Sequence, residues 1–254
     1  MIQNLKKNKI ISQLIYWIKK KQLEERDQAV YSLHPIIRID KYKVIYFPIP
    51  KVATSTLKYI SAKLLELENI DSLELEDIHE FIFPSVERKN LHKYQDYYKF
   101  GFVRNPWERL FSCYKSKIKV DPNYNHPDYQ DGISKRFVRY NLFRAGMSFE
   151  EFVKAISQIP DPDSDFHFKS QYIFFTNNKG EEVVNFIGRY ESLQEDWKKV
   201  RDASNLPAIE LPHLNKESSK HYSEYYTPET IDIVSARYAE DINKFGYKFE
   251  FKPN

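Results

Sequence analysis

The 254-residue sequence has one cysteine, six glycines, no apolar run long enough to cross a bilayer and almost no charge imbalance. Cys113 alone can form neither an intrachain disulfide nor a multi-cysteine zinc site, so a reducing compartment is the simpler expectation. Six glycines, against the roughly 7% of average usage, exclude collagen-like and glycine-rich repeat architectures. Any phosphate-binding loop must then be built with few of them. The apolar stretch Ile10 to Ile18 is interrupted by Ser12 and Gln13 and is about half the ~20 residues a membrane span needs. Lysine plus arginine number 39 and aspartate plus glutamate 36, a net charge of +3, which gives no basic surface for tracking phosphates and no expectation of nucleic-acid binding. In compensation the chain is rich in rings. Its 18 Phe, 19 Tyr and 3 Trp, within a hydrophobic share of 41%, exclude general disorder and can fill a substantial core.

Residues 1–34 read as an N-terminal helical segment: Ile10, Ile11, Leu14, Ile15, Trp17 and Ile18 make a helical stripe with lysines at both ends. Lys19 to Lys21, Glu24 and Glu25 stand where a signal-peptide cleavage site would be, so the segment is expected to remain in the mature protein. Its stripe fits packing against protein or a peripheral contact of residues 1–21 with an anionic membrane. Residues 35–254 are expected to form a single domain. Ile36, Ile37 and Ile39, followed by Val44 to Phe47, read as a buried strand, and Leu57, Ile60, Leu64, Leu65 and Leu67 as one helix face. Tyr98 to Val103 reads as a second strand, with Asn105 and Pro106 opening a helix that ends near Val120. Asp121 to Gly132 reads as a long surface loop, and Ser148 with Glu151 as a capping box for a helix to Ile159. Val183 to Ile187 is a third strand candidate, followed by a helix from Ser192 to Ala203. One last helix is expected from Thr227 to near Gly246. Strands alternating with helices imply an α/β fold with a central parallel sheet flanked by helices.

In such sheets anions settle beyond the carboxyl ends of strands, where helix N-termini offer free N–H groups. The first junction reads Pro50-Lys51-Val52-Ala53-Thr54-Ser55-Thr56, placed like a Walker loop but without its glycines. A lysine and three hydroxyls suit an oxyanion; equally, Ser and Thr simply start helices. The second junction, Arg104-Asn105-Pro106-Trp107-Glu108-Arg109-Leu110-Phe111-Ser112, puts a planar cation at a strand end and a hydroxyl two turns into the helix. Glu108 can pair with either arginine, a structural role expected of Arg109 rather than Arg104.

Together the two junctions resemble the 5′-phosphosulfate loop and the 3′-phosphate motif of sulfotransferases that use 3′-phosphoadenosine 5′-phosphosulfate (PAPS), closest to the carbohydrate sulfotransferase branch. Asn185 to Glu191 with Glu195-Asp196-Trp197, and Asp241 to Phe249, resemble two further segments of that branch. Asn105 stands where aspartate is common, and Phe166-His167-Phe168-Lys169-Ser170-Gln171 replaces the usual histidine segment. The resemblance implies a P-loop NTPase-like sulfotransferase fold and transfer of a sulfuryl group from PAPS, without a metal, to an acceptor hydroxyl on a carbohydrate or glycolipid. It implies that Lys51 stabilises the leaving group, that Lys51, Val52, Ala53, Thr54, Ser55 and Thr56 hold the 5′ end, that Arg104 and Ser112 hold the 3′-phosphate, and that Lys216 covers the nucleotide.

The acceptor must lose a proton, which calls for a base titrating near neutral pH; His79 and His167 are the two catalytic candidates, with Asp77 or Glu80 beside His79, and His213 and His221 further outside. Tyr124, Tyr129 and Tyr140 are candidate stacking surfaces for sugar rings, though aromatics also pack in cores. Two other readings compete: a P-loop-like nucleotide kinase or NTPase, against which the missing glycines and Walker-B aspartate count, and a non-catalytic PAP- or glycan-binding module, against which the retained Lys51 counts. Animal relatives of this branch are Golgi membrane proteins; with one cysteine and no predicted membrane span, this chain is expected to be cytoplasmic and bacterial.

Overall fold

A computed structural model describes residues 35–68, 70, 77–212 and 221–252. The expected N-terminal helix and membrane contact, together with His213 and Lys216, lie outside the described residues. Strands β1 (Ile36–Ile39), β2 (Val44–Phe47), β3 (Ser85–Val86), β4 (Tyr98–Val103) and β7 (Phe186–Arg189) form one five-stranded sheet in the order β3-β1-β2-β4-β7. β2, β4 and β7 run parallel, and each is followed by a helix: α1 (Thr54–Leu64), α2 (Pro106–Lys117) and α5 (Leu193–Ser204). That is the α/β sandwich the alternating pattern predicts.

The apolar run at residues 36–47 is two strands. Asp40–Tyr42 make a single 3-10 turn, Lys43 takes a left-handed φ of 50°, and β2 folds back antiparallel on β1. The polar stretch Asp40-Lys41-Tyr42-Lys43 between two buried apolar segments marks the turn. β1 also pairs antiparallel with β3, so the parallel core carries a two-stranded antiparallel edge. In the expected surface loop, Asp131 and Gly132 both have positive φ and close a short hairpin between β5 (Tyr129–Gln130) and β6 (Ile133–Ser134), the turn that Asp-Gly favours. After α3 (Lys135–Val138), α4 (Phe149–Ser157) begins at the capping box foreseen at Ser148 and Glu151. The final helix is two, α6 (Pro228–Arg237) and α7 (Ala239–Phe245), broken at Tyr238, whose hydroxyl donates to the Phe168 carbonyl at 2.7 Å.

Rings fill both faces of the sheet. Tyr46 stacks on Phe100, and Trp197 of α5 meets Phe100 on the same side. On the other, Phe47 and Phe245 converge on Phe175. Two glycines make room for them: a Cβ on Gly101 would lie 2.3 Å from the Phe175 ring and one on Gly188 2.5 Å from Phe102. No helix among the described residues is long and apolar enough to cross a membrane.

Gly101→Ala forces a ring out of a packed position and is expected to destabilise the protein by about 1–3 kcal/mol. Equilibrium urea unfolding reads this as a lowered midpoint at unchanged slope. An unchanged midpoint would show that Phe175 moves aside freely.

Candidate active site

All three parallel strands end at the same edge of the sheet, which brings residues 48–53 and 104–105 side by side. The first junction turns without glycine. Lys51 and Ala53 adopt left-handed φ values of 69° and 48°, a strained geometry for residues with a Cβ. Ala53 makes no side-chain cap, and the first helical bond of α1 is Leu57 N–H to the Ala53 carbonyl, so the N–H groups of Thr54, Ser55 and Thr56 have no partner within the helix. Thr54 spends its hydroxyl on the Ile49 carbonyl at 2.5 Å, and Val52 is buried, its N–H donating to the same carbonyl. Thr56 Oγ1 is buried without a hydrogen-bond partner.

Arg104 meets this loop directly. Its Nη1 donates to the Lys51 carbonyl at 3.0 Å, its Nη2 pairs with Glu108 at 2.7 Å, its plane lies over the Tyr190 ring at 4.1 Å, and its Nε is buried without a partner. Gln171 brackets its backbone, accepting the Arg104 N–H and donating to its carbonyl. Ser112, half-buried, lies one turn beyond Glu108 on α2. The acid expected to pair with Arg109 thus pairs with Arg104. Arg109 is fully buried and bonds three carbonyls instead, those of Pro50, Lys169 and Phe166. Asn105 shows why an amide serves here: its Oδ1 caps the Trp107 N–H while its Nδ2 donates to the Lys248 carbonyl, which a carboxylate cannot do.

Arg109, Cys113 and Lys117 recur at four-residue intervals, so one face of α2 points at the loop. Burial, reinforced by the charges of Lys117, Arg104 and Lys119, pulls Lys51 down to about 8. Both candidate histidines feel the same cations. Burial, then Lys58, Lys117 and Lys51, lowers His79 to about 4. Burial, then Lys117 and Lys51 against an opposing Asp165, lowers His167 to about 3. His79 and His167, distant in sequence, therefore share the field of Lys51, and both are neutral at pH 7, titrating below the near-neutral range expected of the base because both are buried. Burial raises Cys113 to about 12, which keeps it an unreactive thiol. His221 lies elsewhere, capping the turn at Ser223.

Three groups here were not singled out from sequence: Lys58, whose Nζ is 3.2 Å from His79 Nδ1, Lys117, and Asp165, 2.7 Å from His167. The four-residue spacing on α2 marked Lys117, and the Asp165-x-His167 pair was visible; nothing in the pattern marked Lys58. Tyr124 and Tyr129 pack edge to face in the loop hairpin with Lys119 about 5 Å over both rings. Tyr140 packs instead with Phe143 and Phe168. No group of three or more His, Cys, Asp or Glu that could hold a metal occurs among the described residues.

A profile of the sulfotransferase family matches residues 34–248. The chain is similar to human carbohydrate sulfotransferase 10, 24% identical over 257 residues that span 90% of this chain and 71% of the relative. The Xenopus laevis protein of that name is 25% identical, over 86% and 68%. Mouse carbohydrate sulfotransferase 14 is 27% identical, over 78% of this chain and 53% of its own length. No solved structure gives a significant match.

A Lys51 pulled by burial to about 8, in the same loop as the open amides, takes up a proton when an anion settles on them. Calorimetry with inorganic pyrophosphate at pH 8.5, in buffers of different ionisation enthalpy, is expected to show proton uptake that Lys51→Met largely removes, with affinity falling as pH rises through 8. Binding without uptake and independent of pH would place the anion elsewhere.

Proposed function

The chain belongs to the sulfotransferase family, and from that premise we propose that it transfers a sulfuryl group from PAPS to a hydroxyl of a carbohydrate. The observation that carries the proposal is the meeting of Lys51, three open N–H groups and Arg104 at one edge of the sheet. Two orphaned polar groups support a ligand with phosphates at both ends. Buried Thr56 Oγ1 and Arg104 Nε both lack partners, and an anion would supply them.

In this reading, Lys51, Val52, Ala53, Thr54, Ser55 and Thr56 hold the 5′ end, Thr54 through its backbone alone, and Arg104 and Ser112 hold the 3′-phosphate. Lys216 remains a contributor proposed from sequence. When bound, PAPS supplies an activated sulfuryl group on a phosphate leaving group. The chain's own residues then position and neutralise rather than react covalently. Lys51 puts its ammonium where leaving-group charge grows. A histidine that is neutral at pH 7, His79 or His167, can receive the hydroxyl proton, and its low pKa keeps it available well into the acid range. The carbohydrate acceptor is supported by the names of the relatives and by the exposed Tyr124 beside the hairpin.

Transfer of label from ³⁵S-PAPS to a panel of oligosaccharides tests the proposal. Lys51→Ala is expected to lower turnover by about 10²- to 10³-fold while PAP still binds, and the rate at saturating PAPS is expected to stay level from pH 7 down to 6. Near-normal turnover in the variant would remove Lys51 from the mechanism. An acid limb centred near 6.5 would mean that the base is an ordinary solvated histidine.

A further inference from the structure

The two histidines hold their protons differently. His79 Nε2 lies 2.8 Å from Ser55 Oγ, and its Nδ1 lies 3.2 Å from Lys58 Nζ. An ammonium only donates, so Nδ1 accepts and the ring hydrogen sits on Nε2, spent on Ser55. At His167 the polarity is reversed. Asp165, with its side chain 1% exposed, takes the His167 ring at Nδ1 through Oδ1 at 2.7 Å and the His167 backbone N–H at 3.0 Å. Its other oxygen accepts from Arg136 Nε at 2.9 Å, and Arg136 lies flat over the Phe166 ring at 4.0 Å. A carboxylate only accepts, so Nδ1 carries the hydrogen. Nε2 then carries the lone pair and has no hydrogen-bond partner among the described residues.

We propose that Asp165, anchored by Arg136, is a positioning residue that locks His167 in its Nδ1–H form, making His167 Nε2 the atom that takes the acceptor's proton. The inference rests on the sulfotransferase reading and decides which of its two histidines is the base. As His167 Nε2 forms its bond to the proton, the electron pair of the acceptor O–H bond passes into the new bond to sulfur. The pair of the breaking S–O bond leaves with the 5′-phosphate oxygen, beside Lys51. His167 becomes an imidazolium whose charge Asp165 balances. The charged groups acting on the ring are Asp165 from its own segment, with Arg136 of α3 behind it, Lys117 of α2, and Lys51 of the loop. Burial opposes protonation most and the two lysines add to it until an anion offsets them, while Asp165 supports it once the proton arrives.

¹⁵N-histidine NMR of the full chain reads the tautomer without needing an acceptor. His167 is expected in the Nδ1–H form at pH 7, His79 in the Nε2–H form, and Asp165→Asn, of the same shape, is expected to populate the Nε2–H form of His167. With ³⁵S-PAPS and the oligosaccharide panel, Asp165→Asn and His167→Ala are each expected to lower kcat at least a hundredfold, with KM for PAPS and PAP affinity within twofold of the parent. Arg136→Met, which leaves the carboxylate in place, is expected to cost less than tenfold. An Nε2–H form of His167 in the parent, an unchanged tautomer in Asp165→Asn, or a threefold or smaller loss of kcat would overturn the assignment. Failure of the parent to bind PAP would overturn the sulfotransferase reading instead, whatever the tautomers.

Discussion

The buried guanidinium of Arg109 holds the site together. Its three bonds run to the carbonyls of Pro50, Phe166 and Lys169, so one side chain on α2 fastens the phosphate-type loop to the segment that carries His167. A buried cation bonded to carbonyls is costly to leave unsatisfied, so each of those backbones is held where a donor hydrogen can reach it. Gln171 extends the same clamp to the end of β4, and Asp241 accepts the N–H groups of Gln171 and Tyr172, tying in α7. Burial raises Asp241 to about 6, yet its two N–H donors fix its place. Strand ends from one layer and a loop from another are thereby set against each other before any ligand arrives.

Within that clamp the lysines outnumber the acids, with Asp165 on His167 and Arg136, and Glu108 on Arg104. Lys51, Lys58 and Lys117 are all lowered chiefly by burial, whereas Arg104 is paired with the carboxylate of Glu108. Such a field disfavours protonation of any histidine within it and favours an anion with several charges. The same desolvation that weakens the lysines in the free protein strengthens their hold on a phosphate, because little water competes. Strain at Lys51 and Ala53 belongs to the same design: left-handed residues turn the loop so that successive N–H groups point one way, a task other loops give to glycine.

Much of this was legible in the sequence. Period changes at residues 55 and 106 located the strand-loop-helix junctions, and the paired motifs pointed to the family whose profile matches residues 34–248. The helix cap at Ser148 was visible because capping chemistry is local. The hairpin between β1 and β2 reads as one strand when the apolar residues on either side of Asp40-Lys41-Tyr42-Lys43 are joined, although that polar break is where the chain turns. What else escaped depends on contacts made across the fold. The break falls at Tyr238, whose hydroxyl reaches the Phe168 carbonyl seventy residues away in sequence. Glu108 stands four residues after Arg104 and one before Arg109, and only the geometry of the strand end decides that it pairs with the former. The split duties of His79 and His167 turn on Lys58 and Asp165, whose partners no spacing rule names.

The central claim is that the edge of this sheet is a site for a nucleotide carrying both a 3′-phosphate and a 5′-phosphate. Calorimetric titration of the full chain with PAP, alongside 5′-AMP and ATP, addresses it without knowledge of the acceptor. The account predicts micromolar binding of PAP and affinity for 5′-AMP weaker by at least tenfold, because Arg104 and Ser112 then lack their ligand. Equal binding of PAP and 5′-AMP, a preference for ATP, or no PAP binding would contradict it.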